Sequence, residues 1–256
     1  MRASDGTWYE VMVHSKKNEY IACMETSRNF DFIGKGIYTL QEAGRLTGIP
    51  SRSIMRWTKG YDFNYRGYPR HSPPVIAMNQ KYADGQLVLE FLDLVEVRFL
   101  NAFRIHGVSW NAIRIAAQRA KELLQRTHPF STQTFKTDGR TILADFVGET
   151  GDKVLLDLVR NQYTFRKVIK PYLYGGLEFN EYQEPARWYP LKKKHTIVID
   201  PARRFGAPII TDGGVATRII YQSYLALQSH NLVANCFEVD SISVRDAIEY
   251  EQSLVH

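Results

Sequence analysis

The chain has 256 residues, and its 44% hydrophobic and 23% charged content is that of a globular protein, which excludes wholesale disorder. Lys and Arg outnumber Asp and Glu by 33 to 27, and the net charge of +6 favours polyanionic partners such as nucleic acid. Two distant cysteines, Cys23 and Cys236, argue against a disulfide framework or a zinc site.

Two short helices are predicted first, after an N-terminal extension of residues 1–35. Thr39 and Glu42 have the spacing of a capping box and begin a helix that ends at Gly48. A turn follows, and Ser51 is predicted to cap the second helix. Two short helices joined by a glycine-containing turn indicate a helix-turn-helix.

Basic side chains are concentrated on and beside the second helix. Arg52 and Arg56 are four residues apart and share one face, so they can enter a major groove together. Residues 61–76, rich in Tyr, Gly and Pro, suit an exposed wing. The alternative is a solvated helix face packed from beneath by Ile54 and Trp57. The predicted DNA-binding residues are Arg45, Ser51, Arg52, Ser53, Arg56, Lys59, Arg66 and Arg70.

Two longer helices are predicted to complete a DNA-binding domain over residues 36–130. Apolar residues recur at helical spacing over residues 86–105, and Gly107 breaks the pattern. Ser109 then caps a helix that continues to Leu124. An antiparallel helical pair is expected.

The middle of the chain, residues 131–190, is predicted to be a β-rich linker region. Residues 132–135 and 141–146 alternate apolar and polar around Asp138-Gly139, which favours a β-hairpin. The other elements predicted in and just after this region are a helix over residues 161–170 and short strands over residues 177–179, 188–191 and 196–199.

A small C-terminal module is predicted over residues 191–256. Three helical runs are expected over residues 216–227, 232–237 and 244–254, the last with Ser243 and Asp246 as a capping box. A trihelical unit of this size needs neighbouring strands or a partner to complete its core. The fold class is therefore α+β, mainly α: a winged helix-turn-helix with long helices, a central β-rich segment and a helix-turn-helix-like trihelical module.

Signals for catalysis, secretion and membrane insertion are absent from the sequence. The seven His residues show no metal-ligand spacing, and no nucleophile or phosphate-binding motif occurs. Glu149, Asp152 and Lys153 loosely suggest a nuclease, but chance explains them better. The run KKKH at residues 192–195 indicates a solvated loop, or a contact to phosphate or to an acidic partner. Cys236 is predicted to be a core residue. We expect a cytoplasmic, non-enzymatic protein without metal or cofactor.

Two stretches resemble known families. Residues 37–63, IYTLQEAGRLTGIPSRSIMRWTKGYDF, resemble the MerR-like winged helix-turn-helix. Residues 196–251 resemble the small domain catalogued as domain of unknown function four-three-three, through a G-x-P-x-I turn at residues 206–210 and a closing helix VRDAI-Y. The middle block also looks like the longer, VapB-type members of that family, so the resemblance spans about residues 36–254.

The resemblance implies an antitoxin of a type II toxin-antitoxin system. Such a protein would neutralise a PIN-like ribonuclease toxin by direct binding and repress its own operon as a homodimer or hetero-oligomer on operator DNA. The apolar candidates for toxin contact, some of which must be ordinary core, are Phe205, Ile209, Ile210, Tyr221, Tyr224 and Phe237. The alternative is a stand-alone MerR-like transcription regulator that uses its C-terminal module for effector sensing or dimerisation.

Overall fold

A computed structural model describes residues 33–75, 81–83, 85–136, 140, 142–144, 151–153, 156, 173–191 and 193–254. The fold is α+β and mainly α, as predicted. The predicted helix over residues 161–170, the Asp138-Gly139 turn and nearly all of the N-terminal extension lie outside the described residues.

The predicted helix-turn-helix is present. After strand β1 (Tyr38–Thr39), helix α1 (Leu40–Thr47) begins with the expected capping box, in which the Thr39 hydroxyl accepts a hydrogen bond from the Glu42 amide at 3.2 Å. Gly48 ends α1 with φ of 71°, a left-handed conformation that glycine adopts without strain. Helix α2 (Ser51–Lys59) starts one residue earlier than expected, because Pro50 and not Ser51 is its N-cap.

An exposed β-hairpin, called the wing below, follows α2. It consists of β2 (Tyr61–Tyr65) and β3 (Tyr68–Ser72), which pair antiparallel. Its two-residue turn, Arg66 and Gly67, has φ of 51° and 83°, as the tight hairpin turns that match strand twist require. The predicted wing is therefore confirmed over the described part of residues 61–76.

The long helical pair is confirmed with one correction. Helix α3 (Phe91–Ile105) and helix α4 (Trp110–Leu124) are separated by Gly107, and Ser109 caps α4 as predicted. The start predicted at residue 86 is wrong, because Gln86–Leu89 is strand β5, which pairs with β1 and with β4 (Lys81–Ala83). Three consecutive buried side chains of β5 form an apolar run that periodicity cannot separate from a buried helix.

The predicted hairpin in the middle of the chain is wrong. Residues 133–136 and 142–144 are helical. The Thr132 hydroxyl accepts a hydrogen bond from the Phe135 amide at 3.1 Å and so caps a helical turn. Phe135 and Leu143 are buried, and the ring of Phe135 contacts those of Phe99 and Phe130. Tertiary burial thus overrides the local alternation of the sequence.

A four-stranded antiparallel sheet lies before the C-terminal helices, in the order β6 (Leu177–Phe179), β7 (Pro185–Trp188), β8 (Ile197–Ile199) and β9 (Pro208–Ile210). The strands predicted at residues 177–179 and 196–199 are confirmed. The strand predicted over residues 188–191 is wrong, because β7 ends at Trp188, two residues before Pro190, which has no amide to donate.

The C-terminal trihelical module is confirmed as α5 (Thr217–Leu227), α6 (His230–Phe237) and α7 (Ser241–Ser253). Its apolar core includes Ile210 of β9, as expected for a unit too small to bury its own core. The predicted capping pair of α7 is wrong: Asp240 caps the helix by accepting hydrogen bonds from the amides of Ile242 and Ser243 at 2.8 and 2.9 Å.

The larger core joins the helix-turn-helix to the sheet. Helix α3 is buried along most of its length, and its core cluster extends from Tyr38 to Ile199. The Arg98 guanidinium of α3 lies 4.1 Å from the centre of the Trp188 ring of β7. Among the described helices, none is long and apolar enough to span a membrane.

A buried polar cluster fixes the N-terminal half of α3. Glu96 accepts hydrogen bonds from the amides of Phe130 and Ser131 at 3.4 and 3.0 Å, and Asp93 contacts the His128 ring at 2.7 Å. Burial raises the pKa of Glu96 to about 7, against the charge of His128 and the two amides. Burial also lowers the pKa of His128, but the hydrogen bond that its ring donates to the Asp93 carboxylate and the charge of Glu96 outweigh this effect and raise that pKa.

This cluster predicts a stability that falls as pH rises. The unfolded Glu96 releases its proton near pH 4.5 and the folded one near 7, and the raised His128 pKa acts in the same direction. Urea unfolding at a series of pH values should show a free energy of unfolding that decreases between about pH 4.5 and 7, by roughly 3 kcal/mol from Glu96. Glu96→Gln should flatten this slope, whereas the exposed Glu181→Gln should not. An unchanged slope in Glu96→Gln would contradict the assignment.

Candidate nucleic-acid interface

Helix α2 presents one basic face to solvent. Ile54, Trp57 and Thr58 are buried, and the Trp57 ring lies 5.3 Å from that of Trp110 in α4. The side chains of Arg52, Arg56 and Lys59 are exposed on the other side. This is the arrangement predicted for a recognition helix, in which apolar residues fix the helix and cations are exposed on the side that would face DNA.

The wing continues the basic face of α2. The Arg56 guanidinium lies 5.1 Å from the centre of the Tyr61 ring at the start of the wing. Because side chains alternate along a strand and Phe63 pairs with Arg70, these two share the Tyr61 face of the hairpin. Arg66 stands at the turn, with its guanidinium 5.3 Å from the Tyr65 ring.

The acid in this region is held on the opposite face of the wing. The Asp62 carboxylate contacts the His71 ring at 2.6 Å, and the two residues pair across β2 and β3. The aromatic face of the wing therefore carries arginines without a carboxylate between them. A surface of this kind suits the phosphate backbone of nucleic acid.

Arg114 of α4 holds the base of the wing, a role that the sequence analysis missed. Its guanidinium donates hydrogen bonds to the Ser72 hydroxyl at 2.8 Å and to the Pro73 carbonyl at 3.0 Å. The same side chain lines a cleft of about 220 Å³ with Ser53 and Arg56 of α2. No local motif marks Arg114, since its partners lie about 40 residues earlier in the chain.

Arg45 stands apart from the other predicted DNA-binding residues. Its guanidinium lies 2.9 Å from the carboxylate of Glu251 in α7, which in turn accepts a hydrogen bond from the Thr217 hydroxyl. Ser51, Arg52 and Lys59 line one groove on the protein, and Arg45 lines another. The role of Arg45 at this position is to join the helix-turn-helix to the C-terminal module.

The predicted toxin-contact residues fall into three groups. Ile209 and Ile210 are fully buried, so their prediction as surface contacts is wrong: they face the core as part of β9. Phe205 is 61% exposed. Three aromatic side chains are half-buried against the core of the trihelical module: Tyr221, Tyr224 and Phe237.

Two minor predictions also change. Cys236, expected in the core, is exposed on α6. Lys194, expected in a solvated run, lies 2.6 Å from the buried carboxylate of Asp246, so this part of the run secures α7 to the loop before β8.

Asp152 accepts a hydrogen bond from the Ser109 amide, while Glu149 and Lys192 lie outside the described residues. Within the described ranges no three His, Cys, Asp or Glu side chains are grouped to hold a metal ion.

The geometry defines a helix-turn-helix protein with a wing, and residues 36–117 match the family model described as "Putative DNA-binding HTH domain". The chain is 26% identical over 224 residues to "Putative antitoxin VapB45" of Mycobacterium tuberculosis, an alignment that covers 83% of this chain and 92% of that protein. The crystal structure of Rv2018 from Mycobacterium tuberculosis is also similar, with a TM-score of 0.66 and 25% identity over 82% of this chain and 96% of that one.

The family match thus places a DNA-binding helix-turn-helix model on residues 36–117, and the similarity to a putative antitoxin is one of sequence over most of the chain. Each alignment covers more than nine-tenths of the other chain, so the similarity extends beyond the helix-turn-helix. The narrower likenesses, to the MerR-like winged helix and to the domain of unknown function four-three-three, stay predictions.

Replacing Arg45 should affect stability more than DNA binding. In Arg45→Ala, the nearly buried Glu251 carboxylate loses its cation, and we expect the free energy of unfolding to fall by about 1–2 kcal/mol. Arg126→Ala, which removes a more exposed pair with Glu184, should cost less than ~0.5 kcal/mol. Denaturant unfolding and DNA titration of the same preparations test this. A large loss of DNA affinity in folded Arg45→Ala would show instead that Arg45 contacts DNA.

Proposed function

We propose that the protein is the antitoxin of a type II toxin-antitoxin system, which represses its own operon through DNA binding and neutralises a PIN-like ribonuclease by direct contact. The observation that carries this proposal is the exposed Arg52 and Arg56 face, continuous with the wing, in a chain that aligns over 83% of its length with a putative antitoxin.

The DNA-binding half rests on the geometry of α2 and the wing. Arg52 and Arg56 are exposed on a helix whose opposite side is fixed by the Trp57–Trp110 contact. Arginines placed in this way can reach guanine edges in a major groove, while Ser51, Ser53 and Lys59 are placed for phosphates. One helix reads few base pairs, so a dimer on two half-sites is the expected binding form.

The toxin-binding half rests on the C-terminal module. Its sequence resemblance implies a PIN-like partner, and the similarity to VapB45 extends beyond the helix-turn-helix. Large apolar side chains remain exposed on the module: Phe205, Ile219, Leu225, Leu227, Leu232 and Ile242. Exposed apolar side chains on this scale are typical of a surface that a partner protein covers.

Removing the basic face of α2 should abolish operator preference. Arg52→Ala and Arg56→Ala are each expected to weaken binding to the upstream DNA by about 1–3 kcal/mol, roughly five- to 150-fold, and to relax the preference over a scrambled duplex. Arg119→Ala on the exposed side of α4 is the matched control and should change little. Titrations at about 0.15 M salt measure the affinity for the upstream DNA and the preference over the scrambled duplex. If the wild-type chain binds its upstream DNA no better than the scrambled duplex, the repressor function is refuted.

Neutralisation is tested with the neighbouring reading frame. Co-expression of the full chain with an adjacent PIN-like gene should restore growth, and the two proteins should co-purify as a stable complex, because an antitoxin acts by direct binding. An unrelated PIN-like protein is the control and should not be retained. If the adjacent protein neither binds nor is inhibited while operator binding persists, the protein is a stand-alone regulator.

A further inference from the structure

A groove lies between the helix-turn-helix and the C-terminal module. One wall is formed by α1 and the segment before it, and the other by the loop before β9 and the first turn of α5. Its volume is about 330 Å³, at the lower end of the roughly 300–1,000 Å³ of ligand-binding cavities. This space, called the junction groove below, can hold one or two anchoring side chains and no complete helix or strand.

The junction groove displays apolar side chains that the fold leaves uncovered. Phe205 is 61% exposed and Ile219 is 44% exposed. Phe205 follows Arg204, and the two residues have φ of 53° and 49°, a left-handed conformation that costs a non-glycine residue about 1 kcal/mol or more. The Ile37 amide donates to the Phe205 carbonyl at 3.0 Å, so the helix-turn-helix itself holds this aromatic ring at the rim.

The charge of the junction groove is positive once internal pairs are considered. Of its two carboxylates, Glu42 caps α1, and Glu251 is paired with Arg45. Arg204 and Arg218 are exposed, and neither forms an ion pair with any residue in the described part of the chain. An aromatic ring that lines the same groove as two guanidinium groups without ion pairs has the composition of a binding hot spot for an acidic partner.

We propose that the junction groove is the docking site for an acidic segment of the toxin partner, which places an apolar anchor against Phe205 and Ile219 and carboxylates against Arg204 and Arg218. This inference rests on the proposed antitoxin function and specifies its contact surface. Of the predicted toxin-contact residues, this docking site retains Phe205. It adds the side chains of Arg218 and Ile219 from the first turn of α5. The half-buried Tyr221, Tyr224 and Phe237 then serve the module's own core.

The affinity of the full chain for the adjacent PIN-like protein tests the proposal. Phe205→Ala should weaken the complex at least about tenfold, and it adds no backbone strain because alanine at this φ is no worse than phenylalanine. The exposed Leu123→Ala on α4, outside the C-terminal module, is the apolar control and should stay within about twofold of wild type. Thermal unfolding of each variant verifies that the fold is kept.

A charge test identifies the chemistry of the partner. The double variant Arg204→Gln/Arg218→Gln should weaken the complex at least about tenfold and reduce its dependence on salt between about 0.1 and 0.5 M. Arg245→Gln on the exposed side of α7 is the charge control and should preserve both. An unchanged salt dependence in the double variant would refute an acidic partner segment.

Three outcomes overturn the proposal in distinguishable ways. If the wild-type chain forms a complex and the groove variants bind equally well, the toxin docks elsewhere and the antitoxin function stands. If Phe205→Ala abolishes self-association in light scattering but leaves toxin affinity unchanged, the groove contacts a second copy of the chain. If the wild-type chain forms no complex, both the docking site and the antitoxin function fail.

Discussion

The buried carboxylate of Glu251 constrains how the two ends of the chain are arranged. Glu251 is 4% exposed, and removing a carboxylate from water costs several kcal/mol unless a cation and hydrogen bonds compensate. Arg45 of α1 and Thr217 of α5 supply this compensation from two different parts of the chain. The helix-turn-helix and the C-terminal module must therefore stay in contact, and the hydrogen bond from the Tyr38 hydroxyl to the Gly206 carbonyl joins them at a second point.

The same architecture holds the DNA-binding face on a rigid support. Helix α3 is buried along most of its length and carries the Asp93 and Glu96 cluster. Helix α4 packs on α2 through Trp110 and fixes the base of the wing through Arg114. Recognition side chains held by packed helices keep their geometry before DNA arrives, which lowers the entropy lost on binding. The wing and α2 thus act as one surface, joined through the single half-buried residue Gly60.

The sequence predicted the elements whose ends carry local signals. Two helices begin at the predicted caps Thr39 and Ser109, and two end at or just before the predicted glycines Gly48 and Gly107, which are left-handed. All four boundaries agree with the prediction within a few residues. Elements that depend on distant contacts were missed or misread. The turn after Thr132 is helical because its phenylalanine is buried among rings from α3 and beyond, and no window of neighbouring residues contains that information.

In the candidate sites, too, the features that depend on distant contacts could not be predicted from neighbouring residues. Arg45 and Arg52 are both helical arginines in one basic stretch, and only Glu251, 206 residues beyond Arg45, gives Arg45 a structural role. Near the C-terminus, Phe205 is exposed and Ile209 is buried, although both are large apolar residues within a single turn region. The difference arises because β9 pairs with β8 and buries Ile209, whereas the left-handed backbone at Phe205 turns its ring outward. The strained backbone at Phe205 is held by the hydrogen bond from the Ile37 amide, so the exposure of this ring depends on a contact with a residue far away in the chain.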